Sequence, residues 1–115
     1  MLAFVNTEVP KAASLVAKID ALVKQYPKLR AFVVFQSGDD QKEAIQRLAT
    51  KGKLQVPLVI PKELQKTVDL FKLNPKARNT FLVYTGKKVH FNAVDVTPQN
   101  FSKVAAAARA VANTD

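Results

Sequence analysis

Thr80-Phe81-Leu82-Val83-Tyr84, then Thr85-Gly86-Lys87, then Lys88-Val89-His90-Phe91-Asn92-Ala93 is the stretch on which the reading of the fold turns. It is an apolar run, a tight turn and a second run of alternating character, which predicts an antiparallel hairpin. In the second run Val89, Phe91 and Ala93 alternate with Lys88, His90 and Asn92, so one face should pack and the other stay wet. The chain before the hairpin has a different rhythm. Its apolar runs are separated by helical segments, as parallel strands with crossovers require. A chain that starts with crossovers and ends in a hairpin builds a mixed sheet in an α/β fold.

Working backward from Thr80, Asn74-Pro75 breaks a helix that starts at Pro61 and has Leu64, Val68 and Phe71 on one side. Val56–Ile60 reads as a strand, and Pro57 within it argues for an edge position. Ser37-Gly38-Asp39-Asp40 predicts a turn whose acids cap the next helix. Ala44, Ile45, Leu48 and Ala49 give that helix its apolar stripe, and Gly52 should end it. Ala31-Phe32-Val33-Val34-Phe35 is apolar on both faces and predicts a central, covered strand. Leu15, Val16, Ile19, Leu22, Val23 and Tyr26 recur at helical spacing between Pro10, a first-turn residue, and Pro27. Leu2–Val5 is the first strand. Forward of the hairpin, Thr97-Pro98 predicts a helix start, with Phe101, Val104, Ala105, Ala108 and Val111 on its packed face. The order is βαβαβαββα over a single domain, residues 1–115, with 112–115 a loose tail. Phe32, Phe35, Phe81 and Phe91 are read as core residues.

The 115 residues are 48% hydrophobic and 23% charged, an ordinary globular balance. No apolar run approaches the roughly 20 residues that a membrane span needs. No signal peptide is read, and an exported protein relieved of its leader would look the same, so the compartment stays open. The net charge is +9 and is concentrated in residues 42–88, where eleven basic groups face three acids. Such a segment attracts anionic partners or keeps a domain soluble.

The element order resembles the thioredoxin-like fold over nearly the whole chain. Leu70-Phe71-Lys72-Leu73-Asn74-Pro75-Lys76-Ala77-Arg78-Asn79-Thr80-Phe81-Leu82-Val83-Tyr84-Thr85-Gly86-Lys87-Lys88-Val89 is similar to the stretch that leads into the last hairpin in the TlpA and peroxiredoxin branch. The resemblance implies a three-layer sandwich, a mixed sheet of about five strands with helices on both faces. It also implies that the loop after the first strand, Asn6–Ala12, lies beside the turn before the hairpin, Lys76–Asn79. Both functional signatures of the family are missing. Its two cysteines fall at Val9 and Ala12, and its cis-proline falls at Arg78 or Asn79. A non-proline cis bond costs about 2.5–4 kcal/mol, so a trans peptide is expected there.

Thiol chemistry needs a thiolate, and the chain has no cysteine. His90 is its one histidine and is read as a surface residue; Asp39-Asp40 is read as a cap. No cofactor, no metal site and no catalytic residue are expected. The leading expectation is a redox-inactive module that docks a protein or peptide through Thr7, Glu8, Pro10, Lys11, Arg78 and Asn79 as surface contacts. The alternative is binding of nucleic acid or another polyanion by the basic face of residues 42–88. A monomer or a weak dimer is expected, the latter through edge strands at Lys88–Ala93 or Val56–Ile60.

Overall fold

The computed structural model describes residues 1–7, 9–37, 39–74, 76–85 and 88–112, with the backbone alone at 9–11, 39, 85, 88 and 112. The elements are β1 (Leu2–Val5), α1 (Val9–Gln25), β2 (Phe32–Phe35), a 3-10 turn (Asp39–Gln41), α2 (Lys42–Gly52), β3 (Leu58–Val59), α3 (Leu64–Phe71), β4 (Asn79–Thr85), β5 (Lys88–Val94) and α4 (Ser102–Ala112). Ala112 closes α4 and so does not belong to a tail; residues 113–115 lie outside the described residues.

The five strands form one sheet in the order β3-β2-β1-β4-β5. β1 pairs parallel with β2, and β2 with β3. β4 pairs antiparallel with both β1 and β5. The α/β class and the mixed five-stranded sheet therefore hold. The crossovers through α1 and α2 step the same way along the sheet, so a common handedness sets both helices on one face. Packing agrees. Ala3, Val5, Val33, Phe35, Phe81 and Val83 share one core with Leu15, Val16 and Ile19 of α1, Ile45 of α2 and Val104 and Ala108 of α4. Strand alternation turns Phe4 and Val34 the other way, where they form a smaller core with Leu73 and, partly buried, Val68, Leu2 and Leu82. Phe71 of α3 lies against Phe4, with ring centroids 4.9 Å apart.

β3 is an edge strand of two residues, shorter than its apolar run. Pro57 has no N–H for the ladder, and its carbonyl accepts from Val33 N at 2.9 Å. The segment leading into β3 is held by a carboxylate that the sequence reading did not single out. Asp20 is 3% exposed, and its Oδ1 accepts from Gln55 N at 2.7 Å and Val56 N at 3.0 Å. Its Oδ2 lies 2.8 Å from the Lys24 ammonium. Burial pushes this carboxyl up, but the Lys24 ammonium and the two backbone N–H donors outweigh it and hold the pKa below its ordinary value.

Three sequence expectations need correction. β2 is covered on both faces at Val33–Phe35 but not at its first residue: Phe32 is 43% exposed and is not a core residue. Its side of the sheet is the one that α3 covers only in part. The cap of α2 is not Asp40: a 3-10 turn precedes the helix, and its N-cap, Gln41, makes no side-chain cap bond, while Gly38 and the Asp39 side chain lie outside the described residues. Asp40 instead accepts from Gln41 Nε2 at 3.4 Å. α2 does end at Gly52, and the left-handed residue that follows it is Lys53, at φ 50°. A Cβ at Gly52 would meet Leu54 Cδ2 at 3.1 Å, so a larger residue there would make the Leu54 side chain give by a few tenths of an ångström. Finally, Val89 does not share the face of Phe91 and Ala93. The register shifts between Val83/Phe91 and Tyr84/Val89, so His90 is an extra residue and the bulge turns Val89 outward, 50% exposed.

Candidate functional site

The carboxyl end of β1 meets the amino end of β4, because Val5 pairs with Asn79. The chain that leaves β1 is stitched to the turn before β4. Asn6 N donates to Arg78 O at 2.8 Å, and Asn6 Nδ2 donates to Ala77 O at 3.3 Å. A third segment, the loop after β5, closes the group. Asp95 takes a left-handed backbone, φ 52°, and its Oδ1 accepts from Arg78 N at 2.7 Å. Asp95 N donates in turn to Asn79 O at 3.1 Å.

These three segments and α1 enclose a cleft of about 410 Å³. Val5, Ala12, Leu15, Val96 and Pro98 supply apolar wall, while Thr7, Arg78, Asn79, Asp95 and Thr97 supply polar atoms. Thr97 is held by a reciprocal pair: its N donates to Asn100 Oδ1 at 2.8 Å, and Asn100 N donates to its Oγ1 at 3.3 Å. This is a capping-box exchange in the turn before α4, so Thr97-Pro98 precedes the helix instead of opening it.

Of the six residues singled out from sequence, Thr7, Arg78 and Asn79 come together on this cleft. Pro10 and Lys11 belong to the first turn of α1, which starts at its edge. Glu8 lies outside the described residues. Asn79 sits differently from a surface contact. It is 6% exposed, its Nδ2 donates to Val96 O and its Oδ1 accepts from Val96 N, both at 2.8 Å. Its amide is spent on holding the post-β5 loop to β4. Arg78 is exposed, and among the described residues its guanidinium makes no ion pair. Asp95, Val96 and Pro98 escaped the sequence reading, since their only local signal was that of a connector.

The site has an apolar floor, two hydroxyls on its wall, one free guanidinium and one carboxylate already engaged. It has no histidine and no cysteine. Among the described residues no group of three histidine, aspartate or glutamate side chains could hold a metal ion. No described helix is long and apolar enough to cross a membrane. No protein-family model matches the sequence, and no curated protein matches it. The class that fold and site define is an α/β domain with a mixed five-stranded sheet and a polar-rimmed cleft at the end of its first strand.

Proposed function

We propose that this chain is a redox-inactive, non-catalytic domain of thioredoxin-like type that docks a protein or peptide segment in the cleft between α1 and β4. The observation that carries the reading is the joining of Asn6 to Ala77 and Arg78. It brings together the two loops that the resemblance pairs as a peptide-holding surface. The absence of cysteine takes away thiol chemistry and leaves the groove. An extended segment would lay an apolar side chain on Pro98, above the buried Val5, Ala12 and Val96, and offer a carboxylate or carbonyl to Arg78, with Thr7 and Thr97 as hydrogen-bonding groups.

The test is selection of peptides from a random library on the immobilised protein, followed by titration calorimetry of the selected peptides. Arg78→Ala and Thr7→Arg should each weaken binding about tenfold or more, the loss of one charge-assisted hydrogen bond or the blocking of the groove. Peptides that bind both variants as they bind the parent chain would sink the proposal.

A further inference from the structure

Among the described residues the exposed large apolar side chains are Phe32, Val59, Val89, Val94, Leu70 and Phe71. They are not scattered. Strand register puts four of them on the sheet face that looks away from α1: Phe32 beside Leu2, Val59 beside Val34, Val89 beside Tyr84 and Val94 beside Thr80. The other two belong to α3, which packs on that same face. Apolar residues exposed singly need no explanation, but a set gathered on one side of a domain marks a contact surface.

The surface has a raised part and a recessed part. α3 and the segment after it rest on Val34 and Phe4 through Val68, Phe71 and Leu73. Leu70 follows Val68 by two residues, about 200° round the helix. It therefore points away from the sheet, and it is 76% exposed. The next row of the sheet, Phe32, Leu2 and Leu82, is only partly covered. This recess crosses β2, β1 and β4 and runs on to Asn92 of β5, roughly 14 Å at about 4.8 Å per strand. The 8 residues of α3 make roughly 12 Å of helix. Raised and recessed parts match in length and are both apolar.

We infer that a second copy of this chain docks here, each copy laying the Leu70 side of its α3 on the Phe32–Leu2–Leu82 row of the other. A two-fold axis between the two helices satisfies both halves at once, so the contact is isologous and closes as a dimer. Area agrees. A folded monomer of 12.7 kDa exposes about 6,200 Å², and this chain exposes 7420 Å². The surplus exceeds the roughly 800 Å² that each partner gives to a standard interface.

The contact itself carries little charge. α3 has one lysine and one aspartate; Lys66 is paired with Glu63 at 2.7 Å, and Asp69 accepts from Gln65 at 2.8 Å. Each whole chain, Asp115 included, is +9. Two copies therefore repel at a distance, and salt should strengthen the dimer by screening. An acidic partner on the same surface would show the opposite dependence. The sheet edges are poorer contacts: β3 has two residues, and Lys88 and the His90 bulge protect β5. The recess is on the far side of the sheet from the α1 wall of the cleft, so the dimer stands or falls independently of peptide docking.

The experiment is sedimentation equilibrium of the full chain from micromolar to millimolar concentration, at low salt and at about 1 M salt, with variants checked for folding by circular dichroism. A monomer–dimer equilibrium is expected, tighter at high salt. Leu70→Glu and Phe32→Glu should each weaken it about tenfold or more, by setting a charge in an apolar contact. Thr7→Ala, in the cleft, should leave it unchanged. Three results overturn the inference: a monomer throughout, a dimer that weakens with salt, or a dimer indifferent to both Leu70→Glu and Phe32→Glu. The last would move the contact to another surface.

Discussion

On one face of the sheet Phe81 and Val83 lie beneath α1, α2 and α4 and lose all exposure; on the other, Phe32, Leu2 and Leu82 share a single short helix, and Phe32 stays 43% exposed. All five belong to apolar strand runs of similar composition. The difference lies in what the connections can cover. α3 has 8 residues, roughly 12 Å of helix. Five strands are roughly 19 Å across at about 4.8 Å spacing. Such a helix shields Phe4 and Val34 and leaves the rest of that face open. Three helices, one of them the 17-residue α1, serve the other face. A strand that reads as buried on both sides is thus buried only as far as its crossovers reach.

Substitutions on the two faces should separate by size. Phe81→Ala removes a fully buried ring that meets Phe101 edge-on at 6.1 Å. It should cost about 3–5 kcal/mol in urea unfolding, more than any change on the α3 side. Asp20→Ala should follow at about 2–3 kcal/mol, because Val56 N and Gln55 N lose their acceptor. This carboxylate also predicts a pH dependence. Its folded pKa lies below its unfolded one, so its stabilisation is complete above the unfolded value, about 4, and is lost as pH falls through the folded value. Unfolding midpoints measured between pH 7 and pH 2 should therefore fall more steeply for the parent chain than for Asp20→Asn. A parallel fall would remove Asp20 from the account.

On the α3 face, Phe71→Ala should cost about 1–2 kcal/mol, from the lost ring contact with Phe4 and its partial burial. Phe32→Ser should cost about 1 kcal/mol, the least of these, since the residue is already 43% exposed and has no ring contact like that of Phe71 with Phe4. If chemical denaturation showed Phe32→Ser costing as much as Phe81→Ala, the two faces would be equally packed and the comparison would fail.

Much of the architecture was legible in residue order. The helical spacing of Leu15, Val16, Ile19 and Leu22, the alternation of Phe91 and Ala93, and the punctuation by Pro27 and Asn74 are local signals, and local rules read them; the turn at Gly86-Lys87 lies outside the described residues. The approach of Asn6 to Arg78 followed from topology by resemblance. Other features have no local signature. The His90 bulge is a matter of pairing register, and the tight space at Gly52 comes from Leu54 lying against it. Asn79 reads as a turn residue until Val96, 17 positions away, takes both ends of its amide.

The sequence alone determined the alternation of helix and strand, the final hairpin, the edge position of Pro57 and the absence of thiol chemistry, because each depends on the properties of neighbouring residues or on atoms present or missing. Only the tertiary structure decided which apolar residues are covered, which polar ones are clamped, and how charge is shared between the ends. The basic run of 42–88 is continuous along the chain but not in space, because successive elements run up and down the sheet. Lys42 and Lys51 bracket one helix and stand at opposite ends of the molecule, while Arg30, Lys53 and Arg109 are brought to the same end from segments far apart in sequence.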